Sequence, residues 1–367
     1  MKKTILKYSS LLALISSPFI SSHTYAGSCY TGTSPSAGCS INGSYGTYSM
    51  TGDINARGDN RGIAFGTGAD NNDLTLFGNI STVNGAGIYL KKSDSNNLDI
   101  TGNITTTNDG NSRYTSNGVG FEIRESNYNT TVINGDITAS GFGRPNTTGG
   151  NSTGFYFVGG KYNTTVINGD ITASGSGYSK TGVSLSGSSF ISGNDGPNTT
   201  TIIGNITATE GVALQDTYSQ TVNVTGNILG EKRGFNISSS DSNTFNMTGD
   251  FTTTAIAGTG SDGTEAIMLS LSDENTFNLA GNIESEFNHA INAYTIEVGE
   301  SNGYAIPTNN TFNLNTGTNV IGGFYNGGKN TTINNQGTLD TLTNSGTMTY
   351  IGALPANYNI VINSPTD

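Results

Sequence analysis

The sequence has 367 residues, including 52 glycines, with only 11% charged residues and a net charge of −12 at pH 7. The low charged fraction and the many Ile, Val and Thr residues disfavour a disordered chain. The acidic balance disfavours nucleic acid as a partner, because phosphate binding needs a basic stripe. Composition therefore predicts an exported all-β protein with a thin, repetitive core.

Residues 1–26 have the pattern of a secretory signal peptide. Three lysines within the first seven residues precede an apolar stretch over residues 8–20, and Thr24-Tyr25-Ala26 forms a small-x-small cleavage site. The alternative is a buried N-terminal strand. Removing this segment leaves 12 basic and 27 acidic residues, a net charge of −15. No second long apolar run follows, so we predict no transmembrane helix in the mature chain.

Residues 27–49 are predicted to form an N-terminal cap. They contain both cysteines of the chain, Cys29 and Cys39. In an exported protein two cysteines this close favour a disulfide, with free thiols as the alternative. A loop closed in this way would cover the first rung of a repetitive fold.

A triplet Gly–Asn/Asp–Ile/Phe recurs within residues 50–315. Its spacing is 22 to 26 residues where short and 32 to 35 where long, so the long units look like short ones with about ten residues inserted. Self-similarity at this period predicts a solenoid, in which each repeat buries its apolar face against its neighbours. The nine repeat glycines are Gly52, Gly78, Gly102, Gly135, Gly169, Gly204, Gly226, Gly249 and Gly281.

Apolar residues alternate on both sides of the repeat glycine. Leu76 and Ile80 flank Gly78 at two residues' distance, and the other repeats keep this pattern. Such alternation marks the buried face of a strand. A third strand, such as Gly87–Leu90, follows in each repeat. The sequence therefore predicts an all-β parallel β-helix with three short strands per rung of about 22–26 residues and with the glycine at a corner.

Loops rich in Gly, Asn, Ser and Thr lengthen several rungs, and residues 316–367 repeat more loosely. Residues 128–141 and 162–175 are identical, which indicates a duplicated rung. Inserted loops often bind ligands, although neutral growth of surface loops explains them equally well. The loops are Asn108–Asn117, Phe142–Thr153, Ser176–Lys180, Ser188–Pro197 and Gly258–Gly263.

The residues that could do chemistry are few. His289 is the sole histidine of the mature chain, and without a nucleophile motif we expect it at a turn or on the surface. Asp136 and Asp170 follow repeat glycines where other repeats have Asn, so they are expected to be turn residues. Three further acidic pairs are expected to be solvated edges, namely Glu122/Glu125, Asp273/Glu274 and Glu284/Glu286.

No catalytic, cofactor-binding or metal-binding residue is predicted, and we do not expect an enzyme. Gly66–Asp73 only loosely resembles a Gly- and Asp-rich calcium repeat. The alternative within the same fold is a polysaccharide-cleaving β-helix enzyme, which would need clustered carboxylates.

The signal peptide, the Gly-Asn-Ile rungs and the Thr/Asn-rich ladders together resemble the passenger region of type V autotransporters, of the adhesin-like or vacuolating-toxin-like kind. The segment from Asn357 to Thr366 is similar to the one near their autochaperone region. The family carries a C-terminal outer-membrane barrel of roughly twelve strands as translocator. No such segment follows here, so we expect a fragment, a truncated gene or a passenger lacking its own translocator.

The resemblance implies export through the inner membrane to the cell surface, the outer membrane or the medium, or retention in the periplasm if no translocator is available. It implies an adhesin or structural role through shallow solenoid faces and loops. The expected partner is a host or bacterial surface protein or glycan, or another copy of the chain. The alternatives are a toxin-like oligomerising passenger, the polysaccharide-active enzyme and a gene remnant without function.

Overall fold

The computed structural model describes residues 38–58, 61–109, 118–142, 151–176, 179–187, 196–254, 265–285 and 306–360, and the backbone of 291–294. The strands are β1 Cys39–Ile41, β2 Thr47–Thr51, β3 Ile54–Ala56, β4 Ile63–Phe65, β5 Asp73–Phe77, β6 Ile80–Val83, β7 Ile88–Lys91, β8 Asn97–Thr101, β9 Ile104–Asn108, β10 Gly118–Arg124, β11 Thr130–Asn134, β12 Ile137–Gly141, β13 Ser152–Val158, β14 Thr164–Asn168, β15 Ile171–Gly175, β16 Lys180–Ser186, β17 Asn198–Ile203, β18 Ile206–Gln215, β19 Gln220–Thr225, β20 Ile228–Ser238, β21 Thr244–Thr248, β22 Phe251–Thr253, β23 Ile267–Ser270, β24 Thr276–Ala280, β25 Asn282–Ser285, β26 Ile291–Tyr294, β27 Thr311–Leu314, β28 Asn319–Ile321, β29 Phe324–Asn326, β30 Thr331–Asn335, β31 Thr338–Leu339, β32 Thr341–Asn344, β33 Met348–Gly352 and β34 Asn357–Ile360.

These strands stack in parallel into three ladders, which confirms the predicted parallel β-helix. Each rung passes through ladder A, ladder B and ladder C in turn. In β18 and β20 one long strand runs through both ladder B and ladder C. Ladder A contains β2, β5, β8, β11, β14, β17, β19, β21, β24, β27, β30 and β33. Ladder B contains β3, β6, β9, β12, β15, β18, β20, β22, β25, β28 and β31, and ladder C contains β1, β4, β7, β10, β13, β16, β18, β20, β23, β26, β29, β32 and β34.

The core is one continuous column of apolar side chains inside the three ladders. In its later rungs Phe245, Phe277 and Phe312 stack on one another with ring centroids 4.7 and 4.6 Å apart. In the middle rungs ladder A turns small threonines inward, and ladder C there contributes the stacked pair Phe121 and Phe155. Large rings on one ladder thus accompany small side chains on another, as close packing of an interior requires.

The repeat glycines lie at the corner between ladders A and B, where the chain turns sharply. Gly249 and Gly281 have φ angles of 137° and 123°, which L side chains rarely adopt. A Cβ atom at Gly281 would also collide with the backbone carbonyl of Gly249 in the preceding rung. Glycine is needed here for both reasons, its left-handed φ and its close backbone approach.

A column of buried amides fills the corner between ladders C and A. The Oδ1 atom of Asn96 accepts from the backbone N–H of Asn72 at 3.0 Å, and Asn129 does the same for Asn96 at 2.9 Å. Each asparagine of the column therefore satisfies a backbone donor of the rung before it, whereas Gln220 accepts from the side-chain Nδ2 of Asn198 at 3.1 Å. The column consists of Asn72, Asn96, Asn129, Asn163, Asn198, Gln220, Asn243, Asn275 and Asn310.

Within the described ranges, no helix has the length and apolar character needed to cross a membrane.

Candidate functional site

The residues singled out in the sequence occupy scaffold positions where the structure describes them. The repeat glycines form the A–B corner. Cys39 is buried in β1, which already belongs to ladder C. Cys29 and His289 lie outside the described residues, so the disulfide and the surface position of the histidine stay predictions.

Asp136 and Asp170 serve as acceptors at the A–B corner. The Asp136 carboxylate accepts from the backbone N–H of Asp170 at 2.9 Å, and Asp170 accepts from that of Asn205 at 2.7 Å. An asparagine Oδ1 fills the same role in other rungs, for example between Asn79 and Asn103 at 2.9 Å. The two carboxylates therefore act here as hydrogen-bond acceptors between rungs.

Carboxylates elsewhere are also held by the fold. In the loop that resembled a calcium repeat, the Asp70 carboxylate accepts from the backbone N–H of Asp94 at 2.7 Å. Among the described residues, no three His, Cys, Asp or Glu side chains lie close enough together to hold a metal ion. Of the acidic pairs, Glu125 is half exposed and pairs with Lys92 at 3.1 Å.

Glu122 differs from the prediction of a solvated edge. Its side chain is buried against ladder C, with the residue only 6% exposed, and it pairs with the Arg124 guanidinium. Burial lowers the pKa of Arg124, but the charge and hydrogen bond of Glu122 outweigh this and raise the pKa above its usual value. The prediction of a solvated edge is therefore wrong for Glu122, because Glu122 and Arg124 lie two residues apart on β10, on the same side of the strand, and pair there.

Two surfaces stand out from this scaffold, and the first is the outer side of ladder A. On β11 and the ladder A strands that follow it, the outward positions carry Thr, Asn, Val, Ile or Ala and no charged residue. We call this surface, from Thr130 to Ile351, the threonine–asparagine face. Ile203 lies on it and is 52% exposed.

An amide ladder runs along the middle of the threonine–asparagine face. From Asn246 onwards each asparagine donates from Nδ2 to the Oδ1 atom of the rung before, at 2.7 or 2.8 Å, whereas Asn223 donates to the Thr201 hydroxyl at 3.1 Å. Each Nδ2 group has two protons, so one donor per rung is left for solvent or a partner. The ladder consists of Asn223, Asn246, Asn278, Asn313 and Asn334.

The second surface is a groove on the outer side of ladder B near the N-terminal end. It crosses β3, β6 and β9 and has a volume of about 280 Å³. Hydroxyl and amide groups dominate its lining, and one lining residue, Arg57, is charged. We call it the corner groove, and its lining consists of Asn55, Ala56, Arg57, Ser81, Thr82, Val83, Thr105 and Thr107.

A tyrosine–arginine cluster follows on the outer side of ladder C in the same part of the solenoid. The guanidinium of exposed Arg61 lies 3.7 Å from the ring centroid of buried Tyr89, and that of Arg124 lies 5.4 Å from the ring of Tyr156. Burial raises the pKa of both tyrosines, so both are neutral at physiological pH. The stacked rings hold the two guanidinium groups in fixed positions.

Further along ladder C the outer side carries paired charges of both signs. Arg233 lies between Glu210 at 3.3 Å and Glu265 at 3.5 Å, in three successive rungs. Beside them Lys180 pairs with Glu231 at 3.0 Å. Two cations thus face three carboxylates, whereas the corner groove has a single cation in its lining.

Comparison of the chain with protein-family profiles, curated proteins and solved structures gives no match.

Proposed function

We propose that this chain is a β-helical passenger of autotransporter type, exposed at a bacterial surface or secreted, which acts as an adhesin by associating with other copies of itself. The threonine–asparagine face is the observation that carries the proposal. The signal-peptide pattern of residues 1–26 supports export.

The charge distribution favours this face as the contact surface. The mature chain has a net charge of −15, so two copies repel one another over most orientations. Contact through the uncharged strands from β11 onwards keeps the acidic groups of both copies away from the interface. Like charges brought together would instead disfavour the complex.

The size of the face is sufficient for a weak but specific contact. Nine strands at a spacing of ~4.8 Å and a strand length of about 16 Å give roughly 600 Å² per copy. Two copies would bury about 1,200 Å² in total, the lower limit for stable interfaces. Many such passengers on two cells would then act together, and avidity would hold the cells to each other.

The test adds positive charge to the face without touching the amide ladder. Thr225 and Thr248 are exposed outward residues of β19 and β21, and the double variant Thr225→Arg/Thr248→Arg should remove self-association in analytical ultracentrifugation. The control Thr207→Arg alters an exposed residue of ladder B and should associate as the wild type does. A wild-type chain that stays monomeric at high concentration, or a double variant that still associates, would rule out this face.

A further inference from the structure

The corner groove has the chemistry of a carbohydrate site. Its outward side chains form two columns that cross the rungs, one with Asn55, Ser81 and Thr105 and the other with Arg57, Val83 and Thr107. Within each column neighbouring side chains are separated by the strand spacing of ~4.8 Å, and together the columns present hydroxyl, amide and methyl groups. A sugar ring likewise combines hydroxyl groups with apolar C–H faces.

We propose that the corner groove binds an acidic oligosaccharide, with the guanidinium of Arg57 holding a carboxylate of a uronic acid. Arg57 is the one charged residue in the lining, and it already has an interaction within the protein. A guanidinium has five N–H donors in a planar fork and can hold a carboxylate with two of them while it keeps another contact. The proposal is independent of self-association through ladder A.

The walls of the groove are fixed before a ligand arrives. The Thr82 hydroxyl donates to the carbonyl of Gly85 at 2.8 Å, and Asn84 accepts from the backbone N–H of Asp109 at 2.9 Å. These contacts hold the connection from ladder B to ladder C in place. Binding then requires little ordering of the protein, which favours affinity for a small ligand.

The groove fits a short saccharide. Three strands at ~4.8 Å give a length of about 10 Å between the outer two. With a volume of about 280 Å³ the groove lies near the lower end of small-molecule sites. One or two sugar units would therefore contact the lining, and the rest of a longer chain would extend over the neighbouring rungs.

The experiment is calorimetric titration of the mature chain with trigalacturonate, with neutral maltotriose and with a single-stranded oligothymidylate of equal charge. We expect trigalacturonate to bind at least about tenfold more tightly than either, since one charge-assisted hydrogen-bond pair has about that value. Arg57→Gln should remove this preference and leave maltotriose binding as it is. The control Lys329→Gln, an exposed cation far along the chain, should change nothing.

A second variant tests the position independently of charge. Thr105→Tyr places a large side chain in the groove from an exposed position and should abolish binding of both sugars, while the thermal midpoint stays close to that of the wild type. The proposal is overturned if trigalacturonate does not bind at millimolar concentration, if Arg57→Gln binds it as the wild type does, or if the oligonucleotide binds equally well.

Discussion

Replacement of Asn275 by alanine should be among the most damaging single changes to this protein. Asn275 is fully buried in the amide column. Its Oδ1 atom accepts from the backbone N–H and from the side-chain Nδ2 of Asn243, both at 3.0 Å. Its own Nδ2 donates to the carbonyl of Ser240 at 2.8 Å and to Asn310 at 3.2 Å. Alanine removes all four contacts.

The cost follows from the groups left behind. The backbone N–H of Asn243 and the carbonyl of Ser240 lose their side-chain partner inside the protein. An unsatisfied buried polar group costs about 1–3 kcal/mol, so the two together cost about 2–6 kcal/mol. Asn282→Ala is the matched control, because its amide donates to Asp250 at an exposed corner and the loss there should be below about 1 kcal/mol.

Urea denaturation followed by far-ultraviolet circular dichroism measures both variants, and native-state hydrogen exchange locates the effect. The amide proton of Asn243 should lose protection in Asn275→Ala before distant rungs do, since each rung depends mainly on its neighbours. If Asn275→Ala loses no more stability than Asn282→Ala, or if the Asn243 amide keeps its protection, the amide column does not stabilise the solenoid as argued.

Two further predictions concern single corners. Gly281→Ala should destabilise the protein by more than about 1 kcal/mol in urea, because φ is 123° and the new Cβ would collide with the neighbouring rung. Gly43 has open space around it, so Gly43→Ala should leave the free energy of unfolding unchanged. If both variants lost the same stability, the steric explanation for Gly281 would be refuted. Burial, with added repulsion from Asp273 and Glu274, raises the pKa of Asp241 above 3.8, although a backbone hydrogen bond opposes this. The raised pKa means that protonated Asp241 stabilises the fold fully below pH 3.8, and this stability is lost as pH rises through the folded pKa. Asp241→Asn should therefore raise the urea midpoint more at pH 7 than at pH 4, and the same change at both would contradict the burial argument.

The fold could be predicted because its signals are local. Residues two positions before and after Gly78 are apolar, and this alternation alone assigns two strands and the corner between them. The third strand of a rung, such as Gly87–Leu90, is likewise predicted from its local pattern of small and apolar residues. Because a parallel solenoid repeats one rung, the order of the ladders follows once a single rung is assigned.

The buried amide column and the corner groove could not be located in this way. Asn129 stands six residues before its repeat glycine, as most other column amides do, but Asn also recurs regularly at the exposed corner position of Asn103, so regular spacing alone does not show which of the two is buried. Buried Asn129 donates from its backbone N–H and from its Nδ2 to the Oδ1 atom of Asn163, which is 34 residues away in the sequence. The burial of Glu122 also depends on how the outer side of ladder C packs, which no local pattern shows. The corner groove likewise depends on three strands that are separated in sequence.

The duplicated segment shows how both surfaces can be changed without disturbing the core. The two copies pair in perfect register, with Thr130 opposite Thr164 and Ile137 opposite Ile171. Even the exposed Tyr128 stacks on its counterpart Tyr162, with ring centroids 5.0 Å apart. An added rung thus lengthens ladder A by one strand spacing and leaves every inward column intact. Because the core requires only the inward pattern, outward residues such as those of the threonine–asparagine face and the corner groove can vary without disturbing it.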